Sequence, residues 1–405
     1  MPPQATEKVR LLMRISSQEY DLRCETLTAA LRAEGWRGAV LFDRDYILYY
    51  TGFAFIPTER PIALVLNTAG ERVLLVPRLE REHAEAYAHV HNVEAYTEYP
   101  DTTHPMVYLV NIIDALGIAG ALAADHDGYP WILGYRGPSL SELTGVAPAN
   151  VRPLVEAQMM IKSPAEIALI RESVKWANLA HTLLQRYTRV GATETEVSQR
   201  ASDEATRAML DAIGPIYRAQ SAFGHGAHAG YRGQIGRQSA IPHALANNLT
   251  FQPGDVLVTG ASAPVWGYLS ELERTMIVGT PSDEQKRFFD TMCALQEMAL
   301  HAMRPGVTCA EVDRTVRAAY EQLGIADTWR HHTGHAIGLR YHEGPFLDVG
   351  DNTVLQPGMV FTVEPGVYVP GLGGFRHSDT VLITEEGIEV LTYYPRDLDA
   401  LTIPA

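Results

Sequence analysis

No stretch of this 405-residue chain approaches the roughly 20 consecutive apolar residues that a membrane helix needs. Its first twenty residues carry neither a long apolar run nor a small-residue cleavage pattern. Both absences lead to the expectation of a cytoplasmic protein with no membrane partner. Cysteine is scarce: Cys24, Cys293 and Cys309 are odd in number and far apart, which excludes a disulfide framework and a zinc cluster. Basic residues are also in deficit, 33 against 48 acidic ones, for a formal charge of −15. Such a surface repels phosphate, so nucleic acid is excluded as a partner. It leaves room for a cationic ligand or a metal.

What is present is an ordinary globular composition, 46% apolar and 20% charged. The length favours two domains. The first part alternates short β-type runs with helical segments, giving an α/β domain. Ala39 to Phe42 is one apolar run, and Ile62 to Leu66 and Arg72 to Val76 flank a turn signal at Asn67 to Glu71. Leu79 to Ala88 reads as helix. Ser163-Pro164-Ala165-Glu166 is a capping box with proline at the first helical position. The apolar spacing from Ile167 to Tyr187 predicts a long amphipathic helix after it. The boundary is therefore placed between residues 1–160 and 161–405.

The second part contains an internal echo. Arg189 to Val197 resembles Arg304 to Val312, each with a capping threonine and a glutamate three positions later (Thr193 and Glu196, Thr308 and Glu311). Gln252-Pro-Gly then echoes Gln356-Pro-Gly, each a turn feeding an apolar strand. The shared order predicts a duplicated helix-then-strand unit with a cleft between its halves.

Four segments concentrate polar side chains among apolar runs: Ser239 to His243, Gly267 to Thr275, His331 to Pro345, and Phe361 to Gly366 with Gly373 to Asp379. If Tyr268 to Val278 is a strand, Glu271 and Glu273 share one side of it. Glu364 ends the apolar run Met359 to Val363. Buried carboxylates need a partner or a cation; the plain alternative is pairing with Arg274 or Arg376. Among the histidines, His243, His335 and His342 stand out. His225 and His228 read as exposed loop residues, His301 as a helix residue, and His331, His332 and His377 admit either reading.

Taken together, the four segments resemble the pita-bread family of creatinase, prolidase, aminopeptidase P and methionine aminopeptidase. The phrase Ile161 to Ile167 resembles its longer, two-domain members. The resemblance implies a small N-terminal α/β domain and a C-terminal pita-bread domain with internal pseudo-two-fold symmetry. Peptidase members hold two metal ions with two aspartates, a histidine and two glutamates. Those positions fall here on Gly260, Glu271, His335, Glu364 and Ser378, so two are lost and one is altered, and a two-metal centre is not expected. Leu272-Glu273-Arg274-Thr275 is similar to creatinase, the metal-free member, as is His243 twelve residues before Asp255. His342-Glu343-Gly344-Pro345 is more like the peptidases.

The resulting expectation is a metal-independent, creatinase-like C–N hydrolase (an amidinohydrolase) acting on a small cationic or zwitterionic compound, with no cofactor. His243, Glu273, His335 and Glu364 would be catalytic. Arg60, Glu271, His342 and Arg340 would bind substrate. Arg60 would reach the substrate carboxylate across a homodimer interface, as the resemblance implies. The alternatives are an Xaa-Pro metallopeptidase keeping a divalent metal at Glu271, His335 and Glu364, or a non-catalytic binding protein on the same fold.

Overall fold

Asn67 shows how local chemistry sets the first sheet. Its side-chain oxygen accepts from the backbone N–H groups of Ala69 and Glu71, each at 3.0 Å, closing the turn that joins β2 (Ala63–Asn67) to β3 (Arg72–Pro77) as antiparallel neighbours. The computed structural model describes residues 14–130, 134–221 and 224–405. The first 13 residues, and Phe223 beside the His225 loop, lie outside them. Two compact units result, one of residues 15–130, 134–159 and 220–221 and one of residues 14, 160–219 and 224–405.

In the N-terminal unit, β1 (Gly38–Leu41), β2, β3, β4 (Asn92–Tyr96), β5 (Leu122–Ala124) and β6 (Ala149–Asn150) form one mixed sheet in the order β4-β3-β2-β1-β5-β6. The centre of that sheet is buried along its whole length, so its strands read as continuous apolar runs rather than alternating ones. Val40, Val65, Val73 and Leu75 share a core with Met106, Leu109 and Ile113. The last three come from the helix Pro105–Ala115. The helix in Leu79 to Ala88 is shorter than its sequence span: Arg81–Tyr87, entered through a 3-10 turn.

The C-terminal unit opens on α1 (Pro164–Tyr187). Ser163 and Glu166 cap it reciprocally, which satisfies N–H groups that the first turn leaves unpaired. It packs on α2 (Glu194–Ile213); α3 (Asp283–Ala302) packs on α4 (Cys309–Gln322) in the same way. The first pair precedes β7 (His228–Gly230), β8 (Val256–Val258), β9 (Gly260–Ser262) and β10 (Thr275–Val278). The second precedes β11 (Gly334–Ala336), β12 (Glu343–Leu347), β13 (Val360–Val363), β14 (Val367–Val369), β15 (Gly373–Phe375), β16 (Asp379–Ile383) and β17 (Ile388–Val390). Five of these form a sheet in the order β12-β11-β13-β16-β17.

The duplication extends to single hydrogen bonds. Thr193 bridges antiparallel to Thr250 and Thr308 to Val354, each two residues before a Gln-Pro-Gly turn. Gly191 N–H donates to the Phe251 carbonyl at 3.0 Å, and Gly306 N–H to that of Leu355 at 2.9 Å. Both threonines cap their helices, with the full reciprocal box at Thr308. No helix among the described residues is long and apolar enough to cross a membrane.

Candidate metal centre

The strand expected over Tyr268 to Val278 is regular only from Thr275. Residues 271–274 remain extended because Leu272 pairs with Ala261 and Glu273 with Ser378. The Glu273–Ser378 pair exchanges both backbone hydrogen bonds at 3.0 Å, tying the first half of the duplication to the second. β11 approaches from the other side, with its register shifting between His335 and Ala336 where it meets β12. Irregularities of this kind re-aim a side chain beside a site.

Glu271, His335 and Glu364 converge, with one donor atom from each lying within 4.8 Å of the others. His335 Nδ1 hydrogen-bonds to the Ala336 carbonyl at 3.0 Å, which leaves Nε2 to face Glu364 Oε1 at 3.1 Å. Such a bond at the far nitrogen fixes the tautomer a ligating histidine needs. Burial alone would lower the His335 pKa, but the hydrogen bond and charge of Glu364 and the charge of Glu271 raise it to about 9. Glu271 is pushed up to about 8 by burial and by the charges of Glu364 and Glu273, against the pull of His335 and the Ser378 hydroxyl. Burial opposes ionisation of Glu364 too, yet His335 and Arg376 hold it well below the usual carboxylate range. Ser378 Oγ donates to Glu271 Oε1 at 2.8 Å.

Glu273 stands apart from this trio. Both its oxygens are taken by Arg376, Nη2 to Oε1 at 2.8 Å and Nε to Oε2, and Oε1 also accepts from Arg232 Nη2 at 3.0 Å. Arg376 is 3% exposed. Its Nε lies 3.7 Å from Glu364 Oε2, and its Nη1 donates to Tyr368 Oη at 3.0 Å. Tyr368 Oη in turn meets His331 Nε2 at 2.8 Å. The pairing alternative therefore describes Glu273 and Arg376, whereas Arg274 pairs with Asp379 at 2.8 Å.

His342 stacks on His335, ring centroids 4.0 Å apart and 18° from parallel, and burial with the neighbouring histidines lowers it to about 4. His243 is exposed and has no side-chain hydrogen bond among the described residues, although it lies close enough to His342 to lower its pKa. The Arg340 backbone N–H donates to Glu343 Oε1 at 3.1 Å. Glu343 Oε2 pairs with buried Lys162 at 2.8 Å, pinning the loop that carries His342. A side chain at Gly338 would strike both partners of that pair, 2.8 Å from Glu343 Oε2 and 2.9 Å from Lys162 Cε. Arg60 belongs to the N-terminal unit, where Glu59 and Glu98 Oε1, at 2.7 Å from Nε, hold it.

Several neighbours were not anticipated. His228 is no loose loop residue: it sits in β7 with Nε2 2.9 Å from Tyr341 Oη. Arg232 and Tyr368 lie outside the four segments, and Tyr341, within the third, was not singled out. A depression of about 760 Å³ lies beside His332, lined by Phe346, Asp348, Asn352 and Thr353 among others.

Comparison with known proteins fits this geometry. Residues 168–385 match the model of metallopeptidase family M24, and residues 23–127 match the creatinase/prolidase N-terminal domain. The chain belongs to metallopeptidase family M24. Among curated M24 relatives, an Xaa-Pro dipeptidase from Pyrococcus furiosus is 30% identical over 359 residues, 88% of this chain and 95% of that protein. A solved dipeptidase PepE from Mycobacterium ulcerans superposes with a TM-score of 0.80 at 28% identity, covering 97% of this chain and all of that one. The Xaa-Pro dipeptidase from Bacillus anthracis gives 0.78 at 26%, covering 96% of this chain and all of that one. The two-domain pita-bread architecture is thereby established.

These M24 relatives overturn the metal-independent, creatinase-like amidinohydrolase reading and the absence of a cofactor that went with it. The site supplies the physical reason. Glu273, expected to be catalytic toward a small cationic compound, already holds the protein's own Arg376 in two-point fashion, so it has no free edge for a cationic substrate. The donor set of two carboxylates and an imidazole Nε2 suits one divalent transition ion. A second ion does not fit. Gly260 and Ser378 offer no anionic oxygen, and the nearest remaining carboxylate, Glu273, is saturated by guanidinium.

Proposed function

We propose that the chain is a dipeptidase-type hydrolase, cleaving the peptide bond of Xaa-Pro or similar short substrates with one divalent ion at Glu271, His335 and Glu364. The convergence of those three donor atoms within 4.8 Å carries the reading. The relatives, Xaa-Pro dipeptidases and a dipeptidase, supply the substrate class. Such an ion, when bound, polarises a carbonyl and makes water a nucleophile at neutral pH.

The chain's own residues do the rest. Arg376 keeps a fixed positive charge beside Glu364, where negative charge develops on the tetrahedral centre. His342, stacked on His335, presents a ring N–H at the mouth of the site to orient a substrate carbonyl. His332 and Phe346, ring centroids 5.5 Å apart, form the aromatic wall of a depression otherwise lined by polar residues and glycine. Arg60 completing a partner's site in a homodimer also belongs to this reading, and rests on family resemblance. Sedimentation of the purified chain as a dimer is its expected outcome, and a monomer removes Arg60 from the site.

The decisive experiment loads the protein with Mn, Co, Zn or Fe and measures proline release from Xaa-Pro dipeptides alongside elemental analysis. One ion per chain, and activity lost on chelation, is the expected result. An ion-loaded protein that releases no proline from a broad dipeptide panel ends the dipeptidase reading; two ions per chain end the single-ion assignment.

A further inference from the structure

Arg232 occupies a backbone position that does not suit arginine. It and Gly233 have φ of +52° and +74°, and the Gln234 N–H closes the turn on the Tyr231 carbonyl at 2.9 Å. Positive φ at both central residues is the type I′ arrangement, which favours Asn or Gly at the first of them. Glycine is required at the second: a Cβ on Gly233 would lie 2.0 Å from the Leu245 carbonyl oxygen. A non-glycine residue held at positive φ beside a site points to a role for its side chain.

That side chain is 52% exposed and reaches the site only through Nη2, which donates to Glu273 Oε1 and, at 3.2 Å, to Gln234 Oε1. Arg376 already satisfies Glu273 in two-point fashion, so Glu273 does not depend on Arg232. The N–H groups on Nε and Nη1 of Arg232 have no partner among the described residues. Charge points the same way. With a divalent ion bound, which requires Glu271 and Glu364 ionised and His335 neutral, three carboxylates face two guanidinium groups and the ion, leaving one surplus positive charge. A cluster so poised accepts one anion.

We infer that Arg232 binds the free α-carboxylate of the substrate through an edge that Nη2 shares with Nε or Nη1, Nη2 giving up its 3.2 Å bond to Gln234 Oε1, and so selects dipeptides whose carboxylate lies one residue from the scissile bond. The inference rests on the dipeptidase reading and deepens it. Its test compares wild type with Arg232→Asn and Arg232→Lys on an Xaa-Pro dipeptide and on its C-terminal amide. Arg232→Asn lowers kcat/KM for the dipeptide about 100-fold, chiefly through KM, and leaves the amide unchanged. Arg232→Lys recovers only part of the loss, because a lysine cannot make the two-point bond. The same Arg232→Asn variant unfolds at a higher temperature than wild type, since Asn suits the turn; a purely structural arginine would not combine greater stability with that loss. Calorimetric titration with L-proline and prolinamide adds a readout free of turnover: proline binding is lost in Arg232→Asn and prolinamide binding is unaffected. Equal losses on dipeptide and amide, or unchanged proline binding, overturn the assignment. Absent turnover with Arg232-dependent proline binding overturns the dipeptidase reading and leaves the carboxylate site standing.

Discussion

His335→Ala is expected to lose stoichiometric ion binding and about three orders of magnitude in kcat/KM. The imidazole is the one nitrogen donor of the trio, and its Nε2 is already aimed by the bond from Nδ1 to Ala336. Removing it leaves Glu271 and Glu364 alone, an oxygen pair with little hold on a borderline transition ion. Lewis-acid stabilisation amounts to several kcal/mol, each 1.4 of which is about tenfold in rate. Elemental analysis and proline-release kinetics on the same preparation check it. Full ion content with unimpaired turnover in His335→Ala would place the ion elsewhere.

Arg376→Met is expected to destabilise the fold by about 3 kcal/mol or more, because it strands the buried carboxylate of Glu273. Arg232 meets Glu273 only from the solvent side, so its compensation is partial. The loss should appear as a fall of roughly 10 °C in Tm. Adding Glu273→Gln to Arg376→Met removes the stranded charge and should recover most of that fall, so the two substitutions are far from additive. Calorimetry on the two single variants and the double one decides it. A thermally neutral Arg376→Met would mean that the pair contributes nothing to the core.

The features legible in the sequence are those whose cause is local. Ser163 and Glu166, three positions apart, cap α1 as their spacing predicts, and Asn67 closes the β2–β3 turn by itself. The duplication was readable because Thr193 and Thr308 stand at matching distances from their own helices. Of the partners of Glu273, Arg376 was one of two arginines that the sequence offered, 103 residues away with nothing local to choose it over Arg274, and Arg232, 41 residues away, carried no signal. Both arginines had to be folded into place before Glu273 could be recognised as occupied. The same gap misdirected the cofactor expectation. The lost donors at Gly260 and Ser378 are plain in sequence, but the convergence of the surviving three exists only in space. The stacking of His342 on His335 is likewise a product of the β11–β12 pairing, since the intervening residues carry no periodic signal.

Glu271 comes from the first half of the duplicated domain, and His335 and Glu364 come from the second. An ion held by all three therefore clasps two halves of one chain, and occupancy and cohesion become a single equilibrium. At free ion 100-fold above its Kd, mass action adds about 2.7 kcal/mol to the folded state. The chain's resistance to unfolding then varies with the ion activity of its surroundings.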